Sequence, residues 1–108
     1  MRIAQVAPLS ESVPPQRYGG TERVVAYLTD ELVRQGHDVT LFASGDSRTA
    51  ARLVPVCRRA QRLRGDCTDY LAEHVLMLEH ITQLAREFHV IHFHISQLHL
   101  PVARRLPT

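Results

Sequence analysis

The junction between a strand-like run and an amphipathic segment near the N-terminus is the feature that most limits the fold of this chain. Residues 2–7 (RIAQVA) form a short apolar run, and apolar side chains recur at helical spacing over residues 24–33. Gly19 and Gly20 stand between them, and two adjacent residues without a Cβ atom let the backbone bend sharply. The pattern predicts a strand, a turn and a helix that together open a parallel-sheet domain.

The same two glycines can form an anion-binding turn. The first turn of a helix carries unpaired N–H groups and a partial positive charge, so a diphosphate would fit at Gly19 and Gly20. The dinucleotide-binding fingerprint needs a third spaced glycine, which is missing, and no Gly-Lys-Ser/Thr follows to make a Walker-type loop. On these residues alone, a turn with a ligand and a turn without one both remain open.

Local signals at both ends place the first helix at about residues 21–35. Thr21 is predicted to cap the helix, Glu22 suits the positive first turn, and Gly36 stands where a left-handed C-terminal cap is expected. The strand-forming run at residues 39–43 then completes a strand-helix-strand unit. Such a connection joins parallel neighbours in a sheet.

The rest of the chain continues the alternation less evenly. Residues 47–66 give a weak pattern: residues 50–54 fit either a short strand or a turn of helix, and the arginines at 58, 59, 62 and 64 fit a mobile, solvated face. A second helix is predicted from residue 66 or 68 to about 87, a central strand at 89–95, and a third helix from 97 to 107. The order predicts an α/β fold: a Rossmann-like, three-layer domain with a parallel sheet.

Composition narrows the classes of partner. A net charge of +2 is too small to indicate nucleic acid, and no stretch approaches the roughly 18 apolar residues of a membrane span. The N-terminus also lacks the apolar run of a signal peptide, so we expect a cytoplasmic protein. Cys57 and Cys67 match neither a CxxC pair nor a zinc pattern, and we expect both to be reduced thiols.

The histidines of the last predicted strand form a second candidate site. His92 and His94 share one side of that strand, but a zinc site needs three or four ligands and no Cys, Asp or Glu stands nearby in sequence. We therefore predict no metal and no cofactor. His92 is expected to be a hydrogen-bonded residue within the sheet. His94 lies at the carboxyl end of a parallel strand, where open sheets place their chemistry, and is the stronger functional candidate.

Three blocks, MRIAQVAP, YGGTERVVAYLTDELVRQGHDVTLFASGDS and FHVIHFHISQLHLPVARRL, together resemble the N-terminal half of a family 4 glycosyltransferase with the GT-B fold. They cover most of the chain outside residues 48–87. The resemblance implies a retaining transferase that moves a sugar from a nucleotide-sugar donor to an acceptor that the sequence does not identify. It also implies two Rossmann-like domains facing a cleft, of which the N-terminal one contributes mainly acceptor contacts.

For the site, the resemblance implies that the amides around Gly19 and Gly20 face the donor diphosphate and that His94 is the catalytic histidine. Tyr18, Thr21 and Glu22 would support the turn. Residues Ile95 and Ser96 follow His94 where the family often has an acidic or amide residue, so acceptor recognition is expected to differ in detail.

The paired glutamates of the family's C-terminal, donor-binding domain have no counterpart in these 108 residues. We expect an incomplete GT-B N-terminal domain that is inactive by itself. A non-enzymatic nucleotide-binding or interaction module with a flavodoxin-like or Rossmann-like fold is the alternative. In either case the exposed edge of a small sheet would favour self-association or pairing with a partner.

Overall fold

The computed structural model describes residues 1–65 and 69–108 of the chain. A single sheet of four parallel strands has the order β3-β2-β1-β4, which confirms the predicted α/β fold with a parallel sheet. The strands are β1 (Arg2–Val6), β2 (Asp38–Ser44), β3 (Arg52–Cys57) and β4 (Val90–Phe93). The helices are α1 (Gly20–Arg34), α2 (Tyr70–Leu84) and α3 (Leu100–Ala103), with 3₁₀ turns at Gln61–Leu63 and Ala85–Glu87.

Side chains alternate across the sheet and make two separate cores. On one face, Ala4 and Val6 of β1 pack in a cluster with Met77 and Ile81 of α2. On the other face, Ala7, directly after β1, packs in a cluster with residues of α1 and β2: Val25, Ala26, Leu41 and Ala43. The sheet therefore lies between α1 and α2, in the three-layer arrangement that the sequence predicted.

Helix α1 begins and ends one residue before the predicted positions. Its N-cap is Gly19, which has no side chain to make a capping bond, so the prediction of Thr21 as the cap is wrong. At the other end Gly36 has φ of 94°, and the N–H groups of Gly36 and His37 donate to the carbonyls of Val33 and Leu32. This pair of bonds is the Schellman cap expected of a glycine at that position.

The segment with the weak sequence pattern contains a strand and an ion pair. Strand β3 pairs with β2, so of the two alternatives left open for residues 50–54, a short strand or a turn of helix, the strand is correct. Arg64 makes an ion pair with Glu73 of α2 and has a side chain only 13% exposed, which corrects the expectation that all four arginines lie on a solvated face. Helix α2 begins at Tyr70, where Asp69 caps it, and the predicted start at 66 or 68 lies outside the described residues.

The last predicted strand is not central. In the described part of the chain β4 pairs only with β1 and forms an edge of the sheet. The sequence pattern indicated a central strand because both faces of β4 carry side chains suited to burial. The edge of β4 that faces away from β1 has no pairing strand among the described residues. The third helix is also shorter than predicted and spans four residues. No described helix combines the length and the apolar character needed to cross a membrane.

Candidate functional site

A cavity of about 430 Å³ opens at the carboxyl ends of β1 and β4. It lies between the loop after β1, the first turn of α1, the first turns of α2 and the loop after β4. Thr21 and His94 both line it, which brings the start of the first helix and the candidate histidine together. The complete lining is Pro8, Ser10, Thr21, Leu71, His74, His94, Ile95, Ser96, Gln97 and Leu98.

His94 follows β4 directly and is held by backbone and side-chain contacts to β1. Its N–H donates to the carbonyl of Val6, and its Nε2 lies 2.9 Å from Oε1 of Gln5. Burial, reinforced by the neighbouring imidazole of His92, lowers the pKa of His94 from 6.5 to about 4. At neutral pH the ring is therefore uncharged, with one nitrogen that donates a hydrogen bond and one that accepts.

The N-terminus of α1 keeps backbone donors available. The N–H of Arg23 donates to the carbonyl of Gly19 at 3.1 Å, whereas those of Gly20 and Thr21 donate to no group within residues 1–65 and 69–108. Two unpaired N–H groups in a first turn, with the positive end of the helix dipole, are suited to an anion. Thr21 lines the cavity and neither glycine does, so the contact between helix start and cavity passes through Thr21.

The two glycines differ in how closely their surroundings pack against them. A Cβ atom added to Gly19 would lie 2.9 Å from both Cβ of Pro15 and Oε1 of Glu22, closer than real Cβ contacts come. At Gly20 an added Cβ would meet nothing within 4 Å. Gly19 therefore lets the loop pack tightly under the turn, whereas Gly20 has room for a side chain.

Glu22 is buried beside Gly19 and does not line the cavity. Burial raises its pKa above the usual 4.5; a hydrogen bond to its own backbone amide and the charge of Arg62 oppose the rise, and the charge of Glu11 adds to it. Glu11 is itself buried and accepts from Arg62 at 3.3 Å. The structure thus places Glu22 in a buried charged cluster behind the turn.

Tyr18 is 80% exposed and does not line this cavity. Of the residues singled out from the sequence, Thr21 and His94 meet in one cavity, Gly19 and Gly20 form the turn beside it, and Tyr18 and Glu22 point elsewhere. No sequence pattern singles out His74, whose Nε2 accepts from the N–H of Leu9 and whose Nδ1 lies 2.8 Å from the carbonyl of Tyr70. Those contacts fix the loop after β1 to α2.

Gln5 was also overlooked, although a polar residue within the apolar run RIAQVA was a usable signal. The imidazole of His92, expected to be hydrogen-bonded within the sheet, is exposed and makes no side-chain hydrogen bond in the described part of the chain. Its ring centroid lies 4.0 Å from that of His94. Within that same part, no three His, Cys, Asp or Glu side chains converge to hold a metal ion.

Comparison with known proteins points to one enzyme class. The sequence model of Glycosyltransferase Family 4 matches residues 18–108. Among solved structures, the chain is similar to AviGT4, described as a glycosyltransferase involved in Avilamycin A biosynthesis, with a TM-score of 0.54 and 30% sequence identity. The alignment covers 94% of this chain and 29% of AviGT4, so the chain spans less than a third of that protein's length. No curated protein matches.

Proposed function

We propose that this chain, which belongs to Glycosyltransferase Family 4, forms the acceptor-side wall of a GT-B cleft in which a sugar moves from a nucleotide-sugar donor to an acceptor with retention of configuration. The family match and the likeness to a solved glycosyltransferase support the general activity. The observation that carries the assignment to this site is the shared cavity of Thr21 and His94, at the carboxyl edge of the sheet where open α/β folds bind ligands.

The start of α1 is the proposed binding site for the donor diphosphate. The free N–H groups of Gly20 and Thr21 supply two donors, and the helix dipole adds favourable charge. Gly19 lets the loop close under the turn, and buried Glu22 supports the turn from behind. Tyr18, exposed beside the turn, is the remaining supporting residue in the proposal.

His94 is the proposed catalytic residue, in contact with the acceptor hydroxyl or the transferred sugar. With a pKa of about 4 its imidazole is a weak base at neutral pH, which favours a hydrogen-bonding role over proton removal. The phosphate oxygen that leaves the donor can take the proton itself. The enzyme then gains rate by aligning the two substrates and by stabilising charge on the leaving diphosphate.

We further propose that the 108 residues do not transfer sugar by themselves. The cavity is open to solvent, and transfer needs a closed cleft from which water is excluded. The alignment covers 29% of AviGT4, which is consistent with a cleft whose second wall is formed by residues outside these 108. We propose a cytoplasmic location, with which the free thiol of buried Cys57 is consistent; Cys67, also expected to be reduced, lies outside the described residues.

The diphosphate site is tested with two ligands that share a nucleoside, of which only one carries a diphosphate group. Isothermal titration of the purified chain with a nucleoside diphosphate and with the matching nucleoside should show binding of the first and none of the second. Equal affinity for both ligands would contradict the diphosphate site. The same preparation, assayed with nucleotide-sugars and a panel of sugar acceptors, should release no product, and measurable transfer would disprove the proposed inactivity.

The open edge of β4 supports the proposal that the chain pairs through its sheet. Val90 is 40% exposed, and among the described residues β4 has only β1 as a neighbour. A free strand edge offers unpaired N–H and C=O groups to another strand. Size-exclusion chromatography with light scattering should show a dimer that a Val90→Pro substitution weakens, whereas a monomer at all concentrations would contradict pairing.

A further inference from the structure

Gln5 is a polar side chain in the middle of β1, and it is fully buried. In the sheet it stands between Leu41 of β2 and His92 of β4. Its Oε1 lies 2.9 Å from Nε2 of His94, and its own Nε2 has no hydrogen-bond partner within the described chain. Burying an amide whose nitrogen has no partner is costly and needs an explanation. The side-chain hydrogen bond that Gln5 makes goes to the candidate catalytic residue.

The contact decides which nitrogen of His94 carries the proton. The amide oxygen of Gln5 can only accept a hydrogen bond, so Nε2 of His94 must be the donor. A neutral imidazole has one N–H, and Nδ1 is therefore left as a bare acceptor. Nδ1 of His94 makes no hydrogen bond in the described residues. It is not among their buried, unpaired polar atoms, so it is accessible to solvent.

We propose that Gln5 is a positioning residue that holds His94 in the Nε2–H form, so that Nδ1 accepts a hydrogen bond from a substrate hydroxyl group. This inference rests on the proposed function, in which His94 contacts the substrates. It assigns the chemistry that His94 recognises: a sugar hydroxyl can donate to Nδ1. An ionised phosphate oxygen cannot, because both atoms would be acceptors. The diphosphate then belongs to the amides of Gly20 and Thr21.

His74 provides an internal comparison on the wall of the same cavity. The N–H of Leu9 donates to its Nε2 at 3.1 Å, and its Nδ1 lies 2.8 Å from the carbonyl of Tyr70, which can only accept. His74 is thus held in the Nδ1–H form, opposite to that of His94. Both nitrogens of His74 are occupied, so His94 is the histidine of this pair with an acceptor free for a ligand.

The primary experiment is a nitrogen-15 spectrum of the histidine rings of the 108-residue chain at neutral pH. We expect His94 to show a protonated Nε2 and an unprotonated Nδ1, and His74 to show the reverse. A protonated Nδ1 in His94, or an average of both forms, would overturn the inference. This measurement needs no donor or acceptor, so a failed tautomer assignment is distinguishable from a failure of the proposed diphosphate site, which titration detects separately.

A variant pair tests whether Gln5 causes the preference. Gln5→Met keeps a side chain of similar length without the amide oxygen, and we expect the His94 signals to move to a mixture of the two forms while those of His74 stay unchanged. Gln83→Met removes an exposed amide on α2 and should change neither histidine. A pure Nε2–H form of His94 in the Gln5→Met chain would overturn the inference. If that variant fails to fold, the spectrum of the unmodified chain still decides.

Inorganic pyrophosphate tests the assigned ligand chemistry. Added to the unmodified chain, it should shift the amide signals of Gly20 and Thr21 and leave Nδ1 of His94 unprotonated. Protonation of Nδ1 on addition of pyrophosphate would overturn the assignment of a hydroxyl group to that nitrogen.

Discussion

Thr21, in the first turn of α1, and His94, directly after β4, line one cavity although they come from opposite ends of the chain. The sheet order explains their meeting, because β1 and β4 are parallel neighbours and both carboxyl ends reach the same edge. A helix terminus with free N–H groups thereby stands beside a neutral imidazole. This combination separates two tasks: anion binding by the backbone and hydrogen bonding to a neutral substrate group by the side chain.

A matched pair at Gly20 tests the backbone donor. Gly20→Pro removes the N–H at the first position of α1, where proline suits the helix. Gly20→Ala keeps the N–H and adds a Cβ atom that meets nothing within 4 Å. Because a hydrogen bond to a charged group contributes about 1.5–3 kcal/mol, we expect the proline variant to bind a nucleoside diphosphate at least about tenfold more weakly. Isothermal titration calorimetry should show that the alanine variant binds the nucleoside diphosphate with nearly the same affinity as the unmodified chain. Equal affinities in all three chains would exclude the Gly20 amide.

Gly19 is expected to be needed for stability. An added Cβ would crowd the ring of Pro15 and the carboxyl group of Glu22, and overpacking of this kind costs about 1–3 kcal/mol. Urea denaturation should show that loss for Gly19→Ala. Gly20→Ala is the control, since it should leave the free energy of unfolding unchanged or raise it by up to about 1 kcal/mol. A Gly19→Ala chain as stable as its control would mean that the loop does not pack as described.

The pH dependence of stability follows from His94. The pKa of His94 is about 4 in the folded chain and lies below the ordinary 6.5. Between these two pH values the imidazole is protonated in the unfolded chain and neutral in the folded chain. The contribution of His94 to stability is complete above about pH 6.5 and is lost as the pH falls toward 4. We expect His94→Gln to make the free energy of unfolding less dependent on pH in that window, as measured by urea denaturation. The same slope with and without His94 would contradict the depressed pKa.

Glu22→Gln tests a carboxyl group whose pKa is raised. The Glu22 carboxyl group stays protonated to a higher pH in the folded chain than in the unfolded chain. Its contribution therefore lowers the free energy of unfolding as the pH rises past 4.5. The amide variant should therefore be more stable than the unmodified chain at pH 7 and should keep its affinity for a nucleoside diphosphate. Glu79→Gln, an exposed change on α2, is the control and should alter stability little. Loss of diphosphate binding in Glu22→Gln alone would show that the carboxylate contacts the ligand.

Local chemistry explains why much of the fold was predictable. Helix α1 was predicted to within one residue because the acidic Glu22 marks its first turn and Gly36 its end, although the cap is Gly19 and not Thr21. In β4 the alternation expected of a strand puts Ile91 and Phe93 against the core on the face opposite His92. The position of β4 at the edge was not predictable, because apolar faces report what covers a strand and not what pairs with it. Likewise, β3 has a proline and an exposed arginine in a short run, which weakens the strand pattern.

The candidate site was predictable in part. The turn at Gly19 and Gly20 and the position of His94 followed from local patterns and from the rule that parallel strands place ligands at their carboxyl ends. The bond from His94 to Gln5 and the bond from Leu9 to His74 join residues far apart in sequence, and they depend on sheet order and helix placement that no local pattern carries. The burial of Glu22 was missed for the same reason, because the loop that covers it has no regular structure.

The most direct measurement is a map of amide chemical shifts during titration of the 108-residue chain with a nucleoside diphosphate. The proposed diphosphate site predicts that the amide signals of Gly20 and Thr21 move together and saturate at one affinity. Smaller shifts are expected at His94 and Ser96, which line the same cavity as Thr21. Saturating shifts confined to another surface, with the Gly20 and Thr21 amides unmoved, would contradict the diphosphate site at the start of α1.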